Sequence, residues 1–304
     1  MEEFEDSLRK LKDLVQKASL TTKAEIRTVL LVLDETIDRN SFIFELAHLL
    51  DKKTLNETHF IFLLAVRGYR SQAKKANILL ETLPELTKKV KEEFIGHNEL
   101  VEVAFIPDEE IPPFERIKEI IRTRTIDLLV IPVPFTKFVK DEVQSETSLG
   151  NTIDQIISII LIQHRTPLFF VRSALDYQLP FSNVAVLIRE SLFRSDMLGW
   201  LLALSKDDAQ IDLYYTVDLT PEELNRVGLY YQTLCDWIDE ETKQLTINCS
   251  SEPLSLKTFC DRMSTEPGKL VIFQAIKDVM DEAEHIINAL YFQNSNVLIF
   301  PPID

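Results

Sequence analysis

Thr28-Val-Leu-Leu-Val-Leu-Asp34 and Asn183-Val-Ala-Val-Leu-Ile-Arg189 are the two stretches whose reading decides the fold. Each is an unbroken apolar run closed by a charged residue, and each opens a series of similar runs. The first series closes with Pro167-Leu-Phe-Phe-Val171 and the second with Asn296-Val-Leu-Ile-Phe300. Continuous apolar runs mark strands buried on both faces, the condition of strands in a parallel sheet. Amphipathic stretches separate them. The chain therefore reads as α/β, with two tandem five-stranded parallel sheets and helices on both faces.

In the first series, strands are expected at Thr28–Asp34, Phe60–Val66, Val101–Ile106, Leu128–Val133 and Leu168–Val171. Asp38 or Ser41 can cap a helix running to about Asp51. The charged region from about Gln72 to Phe94 reads as helix, kinked or split by Pro84. Pro112 and Pro113 start another helix, whose buried stripe is Phe114, Ile117 and Ile120 or Ile121. Ile153, Ile156, Ile157 and Ile160 form the stripe of a helix leading into the fifth strand. In the second series, strands are expected at Val184–Ile188, Ile211–Val217, Leu245–Asn248, Leu270–Phe273 and Val297–Phe300. Thr220, Pro221 and Glu223 are a helix start signal, a cap with a capping box. In the second strand of this series, Ile211, Leu213, Tyr215 and Val217 alternate with Asp212, Tyr214, Thr216 and Asp218, so one face is wetter than in Phe60–Val66.

Composition removes several classes. The chain has 304 residues, enough for two domains of roughly 100–200 residues. Its 33 basic and 49 acidic residues give a formal net charge of -16. That balance argues against nucleic acid, whose binding rests on Lys and Arg neutralising phosphates, and against anionic lipid. The most apolar window, Ile153–Ile162, is broken by Asp154, Gln155 and Ser158, so direct insertion into a membrane is not expected. Met-Glu-Glu-Phe-Glu at the start lacks the basic and apolar parts of a secretory signal. Cys235, Cys249 and Cys260 are odd in number and show no C-x-x-C spacing, which fits free thiols in a reducing, cytoplasmic compartment.

Residues 1–24 read as an amphipathic helix or linker, with Phe4, Leu8, Leu11, Val15 and Ala18 at coiled-coil spacing. The two repeats then divide the rest into domains 25–176 and 177–304.

Five strands per unit, a carboxylate at the tip of strand one, a long loop after strand four and a proline before strand five together resemble the universal stress protein family in its tandem form. The resemblance implies the adenine nucleotide alpha hydrolase-like fold. The likeness covers the chain from about Arg27 onward and is one of pattern more than motif. It implies a strand order of 3-2-1-4-5 in each unit and strand-five edges that pair antiparallel, here within one chain. It also implies a nucleotide site in which Leu33-Asp34 matches the family's Val-Asp, with Asp34 facing adenine. The family's phosphate motif, G-x2-G-x9-G-[S/T], keeps only its last part, Leu149-Gly150-Asn151-Thr152. Where its leading glycines belong, the chain reads Ile131-Pro-Val-Pro-Phe-Thr136.

That substitution has a physical consequence. Glycine lets backbone N–H groups approach phosphate oxygens, whereas Pro132 and Pro134 have no N–H and a fixed φ. The matching stretch of the second repeat, Phe273-Gln-Ala-Ile-Lys-Asp278, has no glycine either, and Arg189 stands where the first repeat has Asp34. The reading is therefore of a vestigial nucleotide or anion site at Asp34, Gly150, Asn151 and Thr152, with a helix start still able to hold an anion. ATP is not expected as a cofactor, nor is any other.

No catalytic set assembles. His48, His59, His97, His164 and His285 lack metal-ligand spacing and read as core-edge or surface residues. No G-x-S-x-G elbow is present. Asp108-Glu-Glu110 and Asp239-Glu-Glu241 lack the alternation of a calcium loop. Tyr230, Tyr231 and Trp237 read as packing along one helix. An enzyme is not expected.

Two function classes remain. One is a non-catalytic regulatory and dimerisation protein of the universal stress protein type. The other is a cytosolic C-terminal regulatory domain of a membrane ion transporter. The chain is similar to the tandem C-terminal domains of cation–proton antiporters and cation–chloride cotransporters, and in the latter the glycine loop is likewise lost. The partner expected in the first case is a second copy, through the Phe4–Ala18 helix or the apolar Met197, Leu198, Trp200, Leu201, Leu202 and Leu204. In the second it is the transporter, covalently linked or not.

Overall fold

The computed structural model describes residues 26–33, 41–53, 58–64, 81, 83–94, 101–105, 113–132, 160, 163–171, 179–188, 200–201, 203–216, 246–250, 252–264, 269–275 and 296–302. The strands are β1 (Thr28–Leu33), β2 (His59–Leu64), β3 (Val101–Phe105), β4 (Leu128–Pro132), β5 (Leu168–Val171), β6 (Phe181–Ile188), β7 (Ser205–Tyr215), β8 (Thr246–Cys249), β9 (Leu270–Gln274) and β10 (Asn296–Phe300). The longer described helices are α1 (Ser41–Lys53), α2 (Leu83–Glu93), α3 (Pro113–Thr123) and α4 (Leu256–Ser264).

The strands form one ten-stranded sheet in the order β3-β2-β1-β4-β5-β10-β9-β6-β7-β8. The order 3-2-1-4-5 therefore occurs twice, the second time in mirror sequence. Neighbouring strands are parallel within each half. The halves meet where β5 and β10 pair antiparallel, with Phe170, Phe169 and Leu168 opposite Val297, Leu298 and Ile299. The two five-stranded parallel units are thus joined edge to edge in one sheet, through the strand-five pairing that the family resemblance implies. An apolar strand edge left unpaired is a template for another strand, and each half supplies one to the other.

Side chains alternate between the two faces of the sheet, and each face carries its own helices. Val29, Leu31 and Leu33 of β1 share a core with Phe60, Phe62 and Leu64 of β2 and with residues of α1 and α2. Leu30, Val32, Ile61 and Leu63 turn to the other face, beside Ile117, Ile120 and Ile121 of α3. Phe259, Cys260 and Met263 of α4 lie on that second face further along. All four helices owe their place to apolar residues spaced three and four apart: Phe42, Leu46 and Leu50 in α1, and Leu86 and Val90, followed by Phe94, in α2.

The local signals explain the helix starts. Pro113 opens α3, where a missing N–H costs nothing because that group has no helical partner. Pro84 stands in the first turn of α2, where its missing N–H costs no helical hydrogen bond; Gln72–Leu80, the part of the expected helical region before it, lies outside the described residues. α4 has no counterpart among the expected elements. Its cap was legible: the Ser255 hydroxyl accepts a hydrogen bond from the Thr258 N–H at 3.1 Å, ahead of apolar Leu256, Phe259, Cys260 and Met263. β7 begins at Ser205, six residues before the expected Ile211, because it adds Ser205–Gln210 alongside Phe181–Asn183 of β6.

Trp200, Leu201 and Leu204 are buried within the chain, in the same core as α1 and β6. Those three side chains are therefore not left over for a second copy. Met197, Leu198, Leu202 and the helix expected over Phe4–Ala18 lie outside the described residues, as do the helices expected after Thr220 and Gly150 apart from Ile160; the helix expected to run to about Asp51 is α1.

Candidate functional site

In an open parallel sheet, ligands sit beyond the carboxyl ends of the strands where neighbouring connections run in opposite directions. This sheet has two such places. The first lies between β1 and β4, which pair through Val29–Leu128, Leu30–Leu129 and Leu31–Val130. The second lies between β6 and β9, which pair from Val184–Leu270 to Leu187–Phe273.

At the first place β1 ends on Leu33, one residue before Asp34, and β4 ends on Pro132, paired with Val171 of β5. Leu33, Ile131, Pro132 and Val171 are all buried. Pro132 offers no N–H at the strand tip, so the backbone there cannot donate to an anion. Asp34, Gly150, Asn151 and Thr152 lie outside the described residues.

The second place differs in its residues. β6 ends on Ile188, whose carbonyl accepts a hydrogen bond from Thr216 N–H at 3.1 Å. β9 ends on Gln274, which is buried and stands opposite Phe300 in the register, and Ala275 N–H continues the ladder to the Phe300 carbonyl at 2.8 Å. The Thr216 hydroxyl is buried and has no hydrogen-bond partner among the described residues. Arg189 and Ile276–Asp278 lie outside the described residues.

Among the described residues, a charged cluster of the second half lies away from these strand tips, around Asp212 in the body of β7 and Lys269 just ahead of β9. Asp212 of β7 accepts hydrogen bonds on Oδ1 from Gln210 Nε2 and Asn248 Nδ2, both at 3.0 Å. Its Oδ2 takes Lys269 Nζ at 2.8 Å, and both side chains of that pair are largely buried. Burial alone would push the Asp212 carboxyl up. The hydrogen bonds from Gln210, Lys269 and Asn248, and the Lys269 charge, outweigh it and hold the carboxyl below its ordinary range. Three donors occupy the carboxylate, so it is a structural anchor, not a free base. The sequence marked Asp212 only as part of a wetter strand face; Lys269, 57 residues away, gave no local sign.

Of the histidines, His48 stacks on Phe94 with centroids 4.4 Å apart, and its Nε2 lies 3.4 Å from Glu93 Oε2. His59 opens β2 and His164 lies near β5, both half-buried, while His97 and His285 lie outside the described residues. Cys260 is a buried cysteine on α4. Among the described residues, no group of His, Cys, Asp and Glu is placed to hold a metal, and no helix is long and apolar enough to cross a membrane.

No protein-family model matches the chain, and no curated protein matches its sequence. Solved structures do. The chain is similar to a universal stress protein from Archaeoglobus fulgidus, at 10% identity and TM-score 0.55, over 93% of this chain and 99% of that one. It is also similar to the cytoplasmic domain of a prokaryotic cation chloride cotransporter, at 11% identity and TM-score 0.53, over 91% and 96%. A functionally unknown protein from Pseudomonas aeruginosa matches at 13% identity and TM-score 0.50, over 91% and 93%. At such identities the likeness is one of fold.

Proposed function

We propose that this chain is a non-catalytic regulatory module of the universal stress protein type, whose nucleotide site has decayed and which acts by contact. The observation that carries the reading is the end of β4. The fold places a phosphate loop directly after this strand, and here the strand closes on buried Pro132, which has no N–H to give. The vestigial site is Asp34 with Gly150, Asn151 and Thr152. The β5–β10 seam supports the same reading, since the contact that joins two chains in the family is made inside one. A module without chemistry works through partners, and a second copy docked through the Phe4–Ala18 helix is the partner proposed.

Calorimetric titration tests the decayed site. ATP with magnesium should give no measurable heat up to about 1 mM, near −4 kcal/mol in affinity. Micromolar binding that Asp34→Ala abolishes would show a working site. Light scattering on the full chain and on a form lacking residues 1–20 tests the contact, with a dimer expected for the first and a monomer for the second.

A second reading has its own support. The chain covers 96% of the cytoplasmic domain of a prokaryotic cation chloride cotransporter. In this reading the protein is the cytosolic C-terminal regulatory domain of a membrane ion transporter, a cation–chloride cotransporter or cation–proton antiporter. Both readings place it in the cytoplasm or on the cytosolic face of a membrane. They part on one observation: a reading frame that continues upstream into hydrophobic spans selects the transporter.

A further inference from the structure

β8 closes one edge of the sheet with only four residues, Thr246–Cys249. Its described side chains, Thr246 and Asn248, are exposed, so on that face apolar burial does not hold it. Its backbone pairs with β7 from Gln210 to Leu213. Asn248 faces Asp212 in that register, and its amide donates to Asp212 Oδ1 at 3.0 Å. From the other side, Lys269 reaches Asp212 Oδ2 at 2.8 Å although β6 lies between β9 and β7. The β6 residue between Asp212 and Val271 in the register is Ala185, which carries only a methyl group.

We propose that Asp212 is a clasp that fixes the terminal strand β8 to the sheet, with Lys269 anchoring the clasp from across β6. One carboxylate thereby links a short edge strand to the start of a strand three places further in. When the clasp opens, the β7 edge from Gln210 to Leu213 loses its partner and becomes a template for another strand. The groups facing Asp212 are Gln210 on its own strand, Asn248 on β8 and Lys269 ahead of β9. The clasp therefore depends on the Asp212 charge and loosens when that charge is removed.

Amide hydrogen exchange resolved by strand tests this in the full chain. Asn248→Ala removes the link without stranding a buried charge, and Asp212→Asn removes the charge itself. In both, exchange over residues 246–249 should rise by about tenfold while β5 and β10 stay at the parent rate. Unchanged exchange in β8 overturns the proposal. So does an equal rise in all strands, which would make Asp212 a general stabiliser. Should Asp212→Asn fail to fold, Asn248→Ala decides alone, since Asn248 is exposed and its removal leaves no cavity.

Discussion

Ile61 in the first half and Asp212 in the second occupy the same place in the sheet. Each stands one residue beyond the β2 or β7 residue that pairs with Val29 or Val184, the positions where β1 and β6 also meet Leu128 and Leu270. Ile61 is fully buried in the core that includes Ile117, Ile120 and Ile121 of α3. Asp212 instead holds Lys269, and its neighbours Gln210 and Asn248 are exposed. The residues just before β4 and β9 have diverged together with them. Asp127 Oδ2 accepts hydrogen bonds from the Arg27 and Thr28 N–H groups at 2.8 Å, tying down the start of β1. Lys269 turns to a side chain two strands away. One backbone register thus accepts an apolar or an ionic solution. α4 reaches the neighbouring row, where Phe259 meets Tyr214 edge-on at 5.4 Å, and Asp212 lies two residues nearer the amino end.

The comparison breaks most sharply if the two solutions can be exchanged. Ile61→Asp puts an unpaired carboxylate into a dry core and should cost about 4 kcal/mol or more, enough to unfold the chain under mild denaturant. A urea midpoint close to the parent's would mean that the first-half face admits water. Lys269→Met should cost about 2 kcal/mol by leaving the Asp212 charge with amide partners alone. If Asp212→Ile combined with Lys269→Met is as stable as the parent, the pair is interchangeable with the first half's apolar row.

Smaller effects sharpen the contrast. Asp127→Ala frees two strand-end amides and should cost about 1 kcal/mol, read as a lowered urea midpoint. Acid gives the smallest signal. Because the folded-state pKa of Asp212 is depressed, its contribution is present above the ordinary carboxylate value and is lost as pH falls through the lowered folded value. Stability measured across that window should fall more steeply in the parent than in Asp212→Asn. Parallel curves would mean that other carboxylates set the acid response.

Strand runs were legible because each is a local pattern. Thr28–Leu33, Leu128–Pro132 and Leu270–Gln274 stand within a residue or so of their expected bounds, since continuous apolar sequence has few other uses. The antiparallel meeting of Leu168–Val171 and Val297–Phe300 is what the family resemblance implies, and their apolar edges suit it. A nucleotide or anion site at Asp34 and Gly150–Thr152 is an expectation from the family resemblance, and near it the structure describes only the strand ends Leu33 and Pro132.

The sequence by itself determined the α/β class, the two series of apolar runs and the absence of glycine from Ile131–Thr136, because each is written in consecutive residues. Only the tertiary structure decided that the two halves form a single sheet, that Trp200 and Leu204 are consumed in the chain's own core, and that Lys269 answers Asp212. These are contacts between residues far apart in the chain. Periodicity reports which face of an element is apolar, but the partner of that face is fixed only when crossovers bring distant strands into register.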